Sequence, residues 1–196
     1  MQIINGIAII DNAFSDDTCK SYIDHFENNP EHHYVGNFGI GYDGTSSIDE
    51  TLKTAIEMKF PIEWLSDTFN TLMIEYLEKY VGDVDWDYTS LWYHGSRYGS
   101  SKCKKYIKGV GHYNHIHQEK DGFPTLKDRL FSLLLYLNDV AEGGETVFPL
   151  HEVSVKPETG KLVIFPPGFP YLHYATMPIS DHKYAINSWL EMTYEK

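Results

Sequence analysis

The chain has 196 residues, of which 42% are hydrophobic, 15% aromatic and 22% charged, the composition of a folded globular protein and not of a disordered or fibrous one. With 28 acidic side chains against 16 basic ones, a formal charge of -12 and no arginine-rich run, its surface repels a phosphate backbone, so nucleic acid is not an expected partner. The length suits one domain with a core that buries roughly 70% of the surface exposed by the unfolded chain.

The first residues, Met1-Gln2-Ile3-Ile4-Asn5, lack the basic and apolar regions of a secretory leader. The longest nearly unbroken apolar run, Leu130 to Leu137, is far short of a bilayer span. A soluble, cytoplasmic protein with no membrane partner is therefore expected. Cys19 and Cys103 are far apart and form no CxxC pair, so they read as reduced packing residues.

Residues 3–10 form an apolar run suited to a strand, and Ser15-Asp16-Asp17 then caps a helix reaching about Phe26. The polar, glycine-bearing stretch 28–47 reads as a long loop or short hairpin near a substrate entrance. From Pro61 the residues Ile62, Leu65, Phe69, Leu72, Met73, Tyr76, Leu77 and Tyr80 recur at three- and four-residue steps before Gly82, which predicts an amphipathic helix. A helix with one apolar stripe needs a sheet to cover. Short β-rich runs follow at 86–94, 102–108, 129–138, 146–148, 161–165, 171–175 and 183–193. The predicted class is therefore mainly β (α+β), an antiparallel barrel or jelly roll buttressed by N-terminal helices. With no repeat or linker, 1–196 reads as one domain, with helical support over about 1–85 and a β core over about 86–196.

In the segment His112-Tyr113-Asn114-His115-Ile116-His117-Gln118-Glu119, strand alternation puts His115, His117 and Glu119 on one face. Non-haem iron(II) oxygenases use two imidazoles and a carboxylate on one face of an octahedron, with the remaining positions open. His173, on a late β-run after a proline-rich turn, is a candidate for the remaining ligand. Ten residues further on, Lys183 heads an apolar strand, where a lone ammonium is costly without an anionic partner. Each residue alone is weak evidence, since an isolated histidine in a chain with 10 of them is more often structural.

Together these residues resemble the prolyl 4-hydroxylase-like branch of the 2-oxoglutarate and iron(II)-dependent oxygenases, over about Tyr106 to Trp189. Five blocks carry the resemblance in order. They are the Tyr106-Ile-Lys-Gly109 to Tyr113 lead-in, the His117-x-Glu119 pair, the Arg129 to Pro149 stretch with its Gly143-Gly144 turn, the run from Val155 through Gly160 to Phe165, and His173 followed by Lys183. The resemblance implies a double-stranded β-helix with His117, Glu119 and His173 as iron ligands. It also implies that Lys183 binds the far carboxylate of 2-oxoglutarate, with Tyr106 touching the same cosubstrate. Iron(II), 2-oxoglutarate and dioxygen are the implied cofactors, with ascorbate supporting activity, and succinate and CO2 the coproducts. Two departures stand out. Glu119 occupies a position where the family nearly always has aspartate, and one extra residue separates Tyr113 from His117, which leaves His115 as a competing ligand.

A retained carboxylate at position 119 points to hydroxylation and not to halogenation. Peptidyl proline is the substrate that the family implies first, with another protein side chain, a free amino acid or a small metabolite as further classes. Two other readings differ in class: a cupin-like metalloenzyme that does not use 2-oxoglutarate, against which Lys183 argues, and a non-catalytic barrel that serves as a binding module. The loops 28–47 and 120–127 would set substrate choice and carry no decodable pattern.

Overall fold

The computed structural model describes residues 1–36, 39–40, 46–82, 96–117 and 128–192; the strand expected over 86–94 and the loop 120–127 lie outside them. The chain opens on a hairpin of β1 (Gln2–Ile4) and β2 (Ile7–Ile10), not on the single strand expected over 3–10. Asn5 and Gly6 turn it with φ of 49° and 81°. Positive φ at both central residues matches the twist of a tight hairpin, and Asn-Gly supplies it. Helix α1 (Asp16–Glu27) follows, its first turn closed by the Ser15 side chain accepting from the Thr18 amide at 3.2 Å. Such a cap is worth about 1 kcal/mol.

The stretch expected as a long loop or short hairpin contains the short strands β3 (Tyr34–Val35), β4 (Gly39–Ile40) and β5 (Ser46–Ser47), the last two paired antiparallel, and β6 (Lys53–Thr54) and β7 (Ile56–Phe60) come next. Pro61 does not open the long helix directly. It precedes a single 3-10 turn, Ile62–Trp64, and α2 (Ser66–Val81) begins after it, ending at Gly82 with φ 68°. The later described strands are β8 (Ser96–Tyr98), β9 (Ser101–Tyr106), β10 (His112–His117), β11 (Asp128–Tyr136), β12 (Thr146–Phe148), β13 (Val153–Val155), β14 (Leu162–Phe165), β15 (His173–Ala175) and β16 (Lys183–Met192), with 3-10 turns at Pro149–His151 and Phe169–Tyr171.

Two main antiparallel sheets result. The larger runs β1-β2-β14-β11-β16-β9-β7-β3, with β8 also paired to β16, and the smaller runs β13-β12-β15-β10-β6. The N-terminal third thus supplies strands to both sheets as well as the helices.

Side-chain alternation divides the larger sheet into two faces. On one, Leu133, Leu135, Leu162, Ile164 and Ile186 pack with Cys19, Tyr22 and Phe26 of α1 and Phe69, Met73 and Tyr76 of α2. On the other, Tyr136, Val163, Phe165 and Ala185 pack with Phe148, Val153 and Val155 of the smaller sheet. Both cysteines are buried and unbridged, as their spacing indicated. Among the described residues no helix is long and apolar enough to cross a membrane.

Between β11 and β12 the chain turns on Gly143 and Gly144, at φ of 76° and 79°. Gly143 bridges Pro178, and a Cβ on it would lie 2.2 Å from the Met177 carbonyl oxygen. Strain at positive φ and this backbone clash act together. Gly143→Ala is expected to destabilise the protein by about 2 kcal/mol or more, measured by urea unfolding; an unchanged midpoint would contradict the account of this turn.

Candidate active site

The inner faces of the two sheets enclose a cavity. From the larger sheet it is lined by Lys104 and Tyr106 of β9, Ser132 and Leu134 of β11, and Lys183, Ala185, Asn187 and Trp189 of β16; from the smaller by Tyr113, His117, Thr146, His173 and Ala175. Residues expected at the site from widely separated segments therefore meet in one place.

His117 and His173 are direct partners across the β10–β15 pair, with ring centroids 4.3 Å apart. The register that sets them opposite one another depends on a bulge. Tyr113 pairs with Ala175 and His117 with His173, so four steps along β10 answer two along β15. A slip of two residues keeps the faces in phase, because side chains alternate with a period of two. The lengthened spacing between Tyr113 and His117 seen in the sequence falls within this bulge. Tyr113 stacks on His117 at 3.9 Å.

His173 is 6% exposed and wedged among aromatic rings, 5.2 Å from Phe148 and 5.0 Å from Phe165. Its Nδ1 lies 3.0 Å from the Tyr171 carbonyl oxygen, which can only accept. Nδ1 is therefore the donor in this contact. This is the arrangement that orients a metal-binding imidazole. Glu119 and the side chain of His115 lie outside the described residues.

Lys183 is 2% exposed. Its Nζ donates to the Gly144 carbonyl at 2.6 Å and lies over the rings of Tyr106 and Tyr136, 5.3 and 5.1 Å from their centroids. Tyr106 is its direct cross-strand partner. Burial, and then the charge of Lys104, push the ammonium pKa down to about 7 against a weaker raising influence of Glu145. Ser132 Oγ and Asn187 Oδ1 are buried with no hydrogen-bond partner among the described residues. An unpartnered buried polar atom is costly, and in a cavity wall it marks where a ligand's polar group can be received.

Sequence reasoning reached His117, His173, Lys183 and Tyr106. It missed Tyr136, whose hydroxyl donates to Thr146 Oγ1 at 2.8 Å, and it missed Lys104. Tyr136 looked like one more apolar residue of a buried strand. Lys104 sits in the run expected as a strand over 102–108, where its lysine neighbours gave no sign of which of them faces inward.

The comparisons with known proteins agree with this geometry. Residues 101–191 match the family model of the 2OG-Fe(II) oxygenase superfamily. Two Arabidopsis thaliana relatives, prolyl 4-hydroxylase 13 and probable prolyl 4-hydroxylase 9, are each 29% identical, over 107 and 119 residues, which are 43% and 50% of this chain. Those matches span 39% and 41% of the relatives' own lengths. Among solved structures, the viral collagen prolyl hydroxylase of Paramecium Bursaria Chlorella virus-1, in its 2OG complex, superposes with a TM-score of 0.66 at 19% identity, covering 96% of this chain and 97% of that one. A Trichoplax adhaerens prolyl hydroxylase in complex with a hypoxia inducible factor peptide gives 0.69 at 18% identity, covering 96% and 84%. Likeness at such identity establishes the shared fold. Over residues 101–191 the chain is similar to the 2OG-Fe(II) oxygenase superfamily, and over about half its length it is similar to prolyl 4-hydroxylases.

The Lys183 environment carries a stability signature. Its folded pKa, about 7, lies below the unfolded value of 10.5, so between these values the folded state binds fewer protons and stability rises with pH. Lys183→Met removes that rise. The stability advantage of the variant over the parent is expected to shrink by about 2 kcal/mol between pH 7 and pH 9 in urea unfolding. A pH-independent difference would contradict the buried, depressed ammonium.

Proposed function

We propose that the protein is a 2-oxoglutarate and iron(II)-dependent dioxygenase that hydroxylates a substrate C–H, most readily a prolyl residue in a peptide or protein. The observation that carries this reading is the meeting of His117, His173 and the buried Lys183 in one cavity between two sheets. We read the two sheets as a double-stranded β-helix with α1 and α2 packed on its outer face, and residues 1–196 as one domain.

The residues present fit the implied metal and cosubstrate. Two imidazoles face one another, one with its Nδ1 donating to a backbone carbonyl, and Glu119, two residues beyond His117, completes the proposed ligand set His117, Glu119 and His173. When bound, iron(II) supplies activation of dioxygen, coupled to oxidative decarboxylation of 2-oxoglutarate to succinate and CO2, with ascorbate as a supporting reductant. The protein's own residues bind and orient. Lys183 is buried where a far carboxylate would neutralise it, and the Gly144 carbonyl and the Tyr106 and Tyr136 rings hold its ammonium in place. Thr146, with Tyr136 hydrogen-bonded to it, offers hydroxyl groups beside the same position. Phe148 and Phe165 exclude water behind His173. Trp189 and Ser132 line the other end of the cavity, where a substrate side chain is received. The peptide preference is supported by the neighbour that binds a hypoxia inducible factor peptide and by the prolyl 4-hydroxylase relatives. A cupin-like chemistry without 2-oxoglutarate leaves the buried Lys183 with only the partly exposed Glu145 as an opposite charge.

The test is succinate release by the iron(II)-loaded protein with 2-oxoglutarate and ascorbate, screened against proline-rich peptides and free amino acids. Turnover is expected with a peptide. His117→Ala and His173→Ala should each abolish tight iron binding, Glu119→Ala should weaken it, and His115→Ala should leave it intact. Lys183→Ala should weaken 2-oxoglutarate binding about tenfold or more, the value of a charge-assisted contact. Iron binding that needs His115 in place of His117, or 2-oxoglutarate affinity indifferent to Lys183, would overturn the assignment.

A further inference from the structure

The cavity holds a second buried ammonium. Lys104, 9% exposed, stands on β9 opposite Ala185, while its neighbour on the same face, Tyr106, stands opposite Lys183. Lys104 and Lys183 are therefore diagonal neighbours across two adjacent strands, with Ala185 and Tyr106 on the other diagonal. Both line the cavity.

The Glu57 carboxylate, fully buried, is the acidic group beside Lys104, and it is already engaged. Lys53 donates to its Oε1, and Lys102 approaches Oε2 at 3.3 Å. Lys104 reaches no nearer than 3.9 Å to Oε1, outside hydrogen-bonding range, and makes no hydrogen bond among the described residues. Among the described residues, the buried ammonium groups of Lys53, Lys104 and Lys183 thus have one buried carboxylate beside them, Glu57, while the other buried carboxylate, Glu191, stands at the far end of β16 near Arg129. Buried charge of one sign must be compensated, and a diacid would bring the missing charge. Of the charges acting on Lys183, that of Lys104 is the largest, and it is repulsive; an anion between them converts this repulsion into shared attraction.

We propose that Lys104 is a second cationic contact for the far carboxylate of the dicarboxylate cosubstrate, so that Lys104 and Lys183 hold it from adjacent strands above Ala185. This rests on the 2-oxoglutarate reading given above and adds a residue to it. Glu57, the cross-strand partner of Lys104 on β7, serves as the positioning group and shares its single charge among Lys53, Lys102 and Lys104.

The experiment is calorimetric titration of the full chain loaded with manganese(II), using 2-oxoglutarate and, in parallel, 2-oxopentanoate, which keeps the chelating keto acid and lacks the far carboxylate. Lys104→Met is expected to weaken 2-oxoglutarate about fivefold or more and to leave 2-oxopentanoate unchanged, with Lys104→Arg retaining most of the parental affinity. Should Lys104→Met not fold, Lys104→Gln is read in the same way. Unchanged 2-oxoglutarate affinity in the Lys104 variant, alongside weakening in Lys183→Met, would overturn the proposal and leave the functional reading standing. Equal weakening of both ligands would also overturn it, by assigning Lys104 to the Glu57 ion cluster alone. Indifference of 2-oxoglutarate to both lysines would remove the functional reading together with the proposal.

Discussion

An ammonium group shut inside a protein costs several kcal/mol unless an opposite charge or a full set of hydrogen bonds compensates it. Lys183 has one backbone carbonyl, two aromatic rings and a second ammonium for neighbours, with only the partly exposed Glu145 acting in its favour. Much of the surrounding structure serves to hold it there. The Gly143-Gly144 turn, possible only at positive φ, brings the accepting carbonyl under it. The long β16, paired with β9 over Lys183–Asn187 and with β11 from Ala185 onward, fixes its backbone. A fold that keeps such an unfavourable group on its inner wall requires an explanation, and an anionic ligand supplies one.

The second constraint is register. Two histidines 56 positions apart in sequence face one another because β10 and β15 pair with a bulge that consumes two residues. The paired face also carries Tyr113 and Ala175, and it looks across the interior at Lys183 and Tyr106. Cavity polarity follows from the same alternation. Leu133 and Leu135 point at the helices, while Ser132 and Tyr136 point inward.

The amphipathic periodicity of α2, the cap of α1 and the strands from β9 onward, β13 excepted, were legible in the sequence because each is set by local patterning or capping. The histidine pair and Lys183 were legible because imidazole and ammonium groups in apolar β-runs have few inexpensive uses. Other features were not. β6 and β7 are short, and β7 buries Glu57 at a position where alternation would place a solvated charge, so its pattern did not read as a strand. The hairpin of β1 and β2 was hidden inside an apolar run, although its Asn5-Gly6 pair was the available signal. Lys104 was hidden by its lysine neighbours, since only the pairing of β9 with β16 shows which members of that run face inward. Glu119 lies outside the described residues, and its assignment rests on its spacing from His117.

Proton uptake measures the central interaction most directly. Burial and the charge of Lys104 push the Lys183 ammonium pKa down to about 7, so at pH 8 a carboxylate placed against it is expected to bring a proton with it. Calorimetric titration of 2-oxoglutarate into the manganese(II)-loaded protein at pH 8, in buffers of different ionisation enthalpy, counts the protons taken up. The expected result is uptake of about one proton per ligand, lost in Lys183→Met. Heats identical in every buffer would contradict the account.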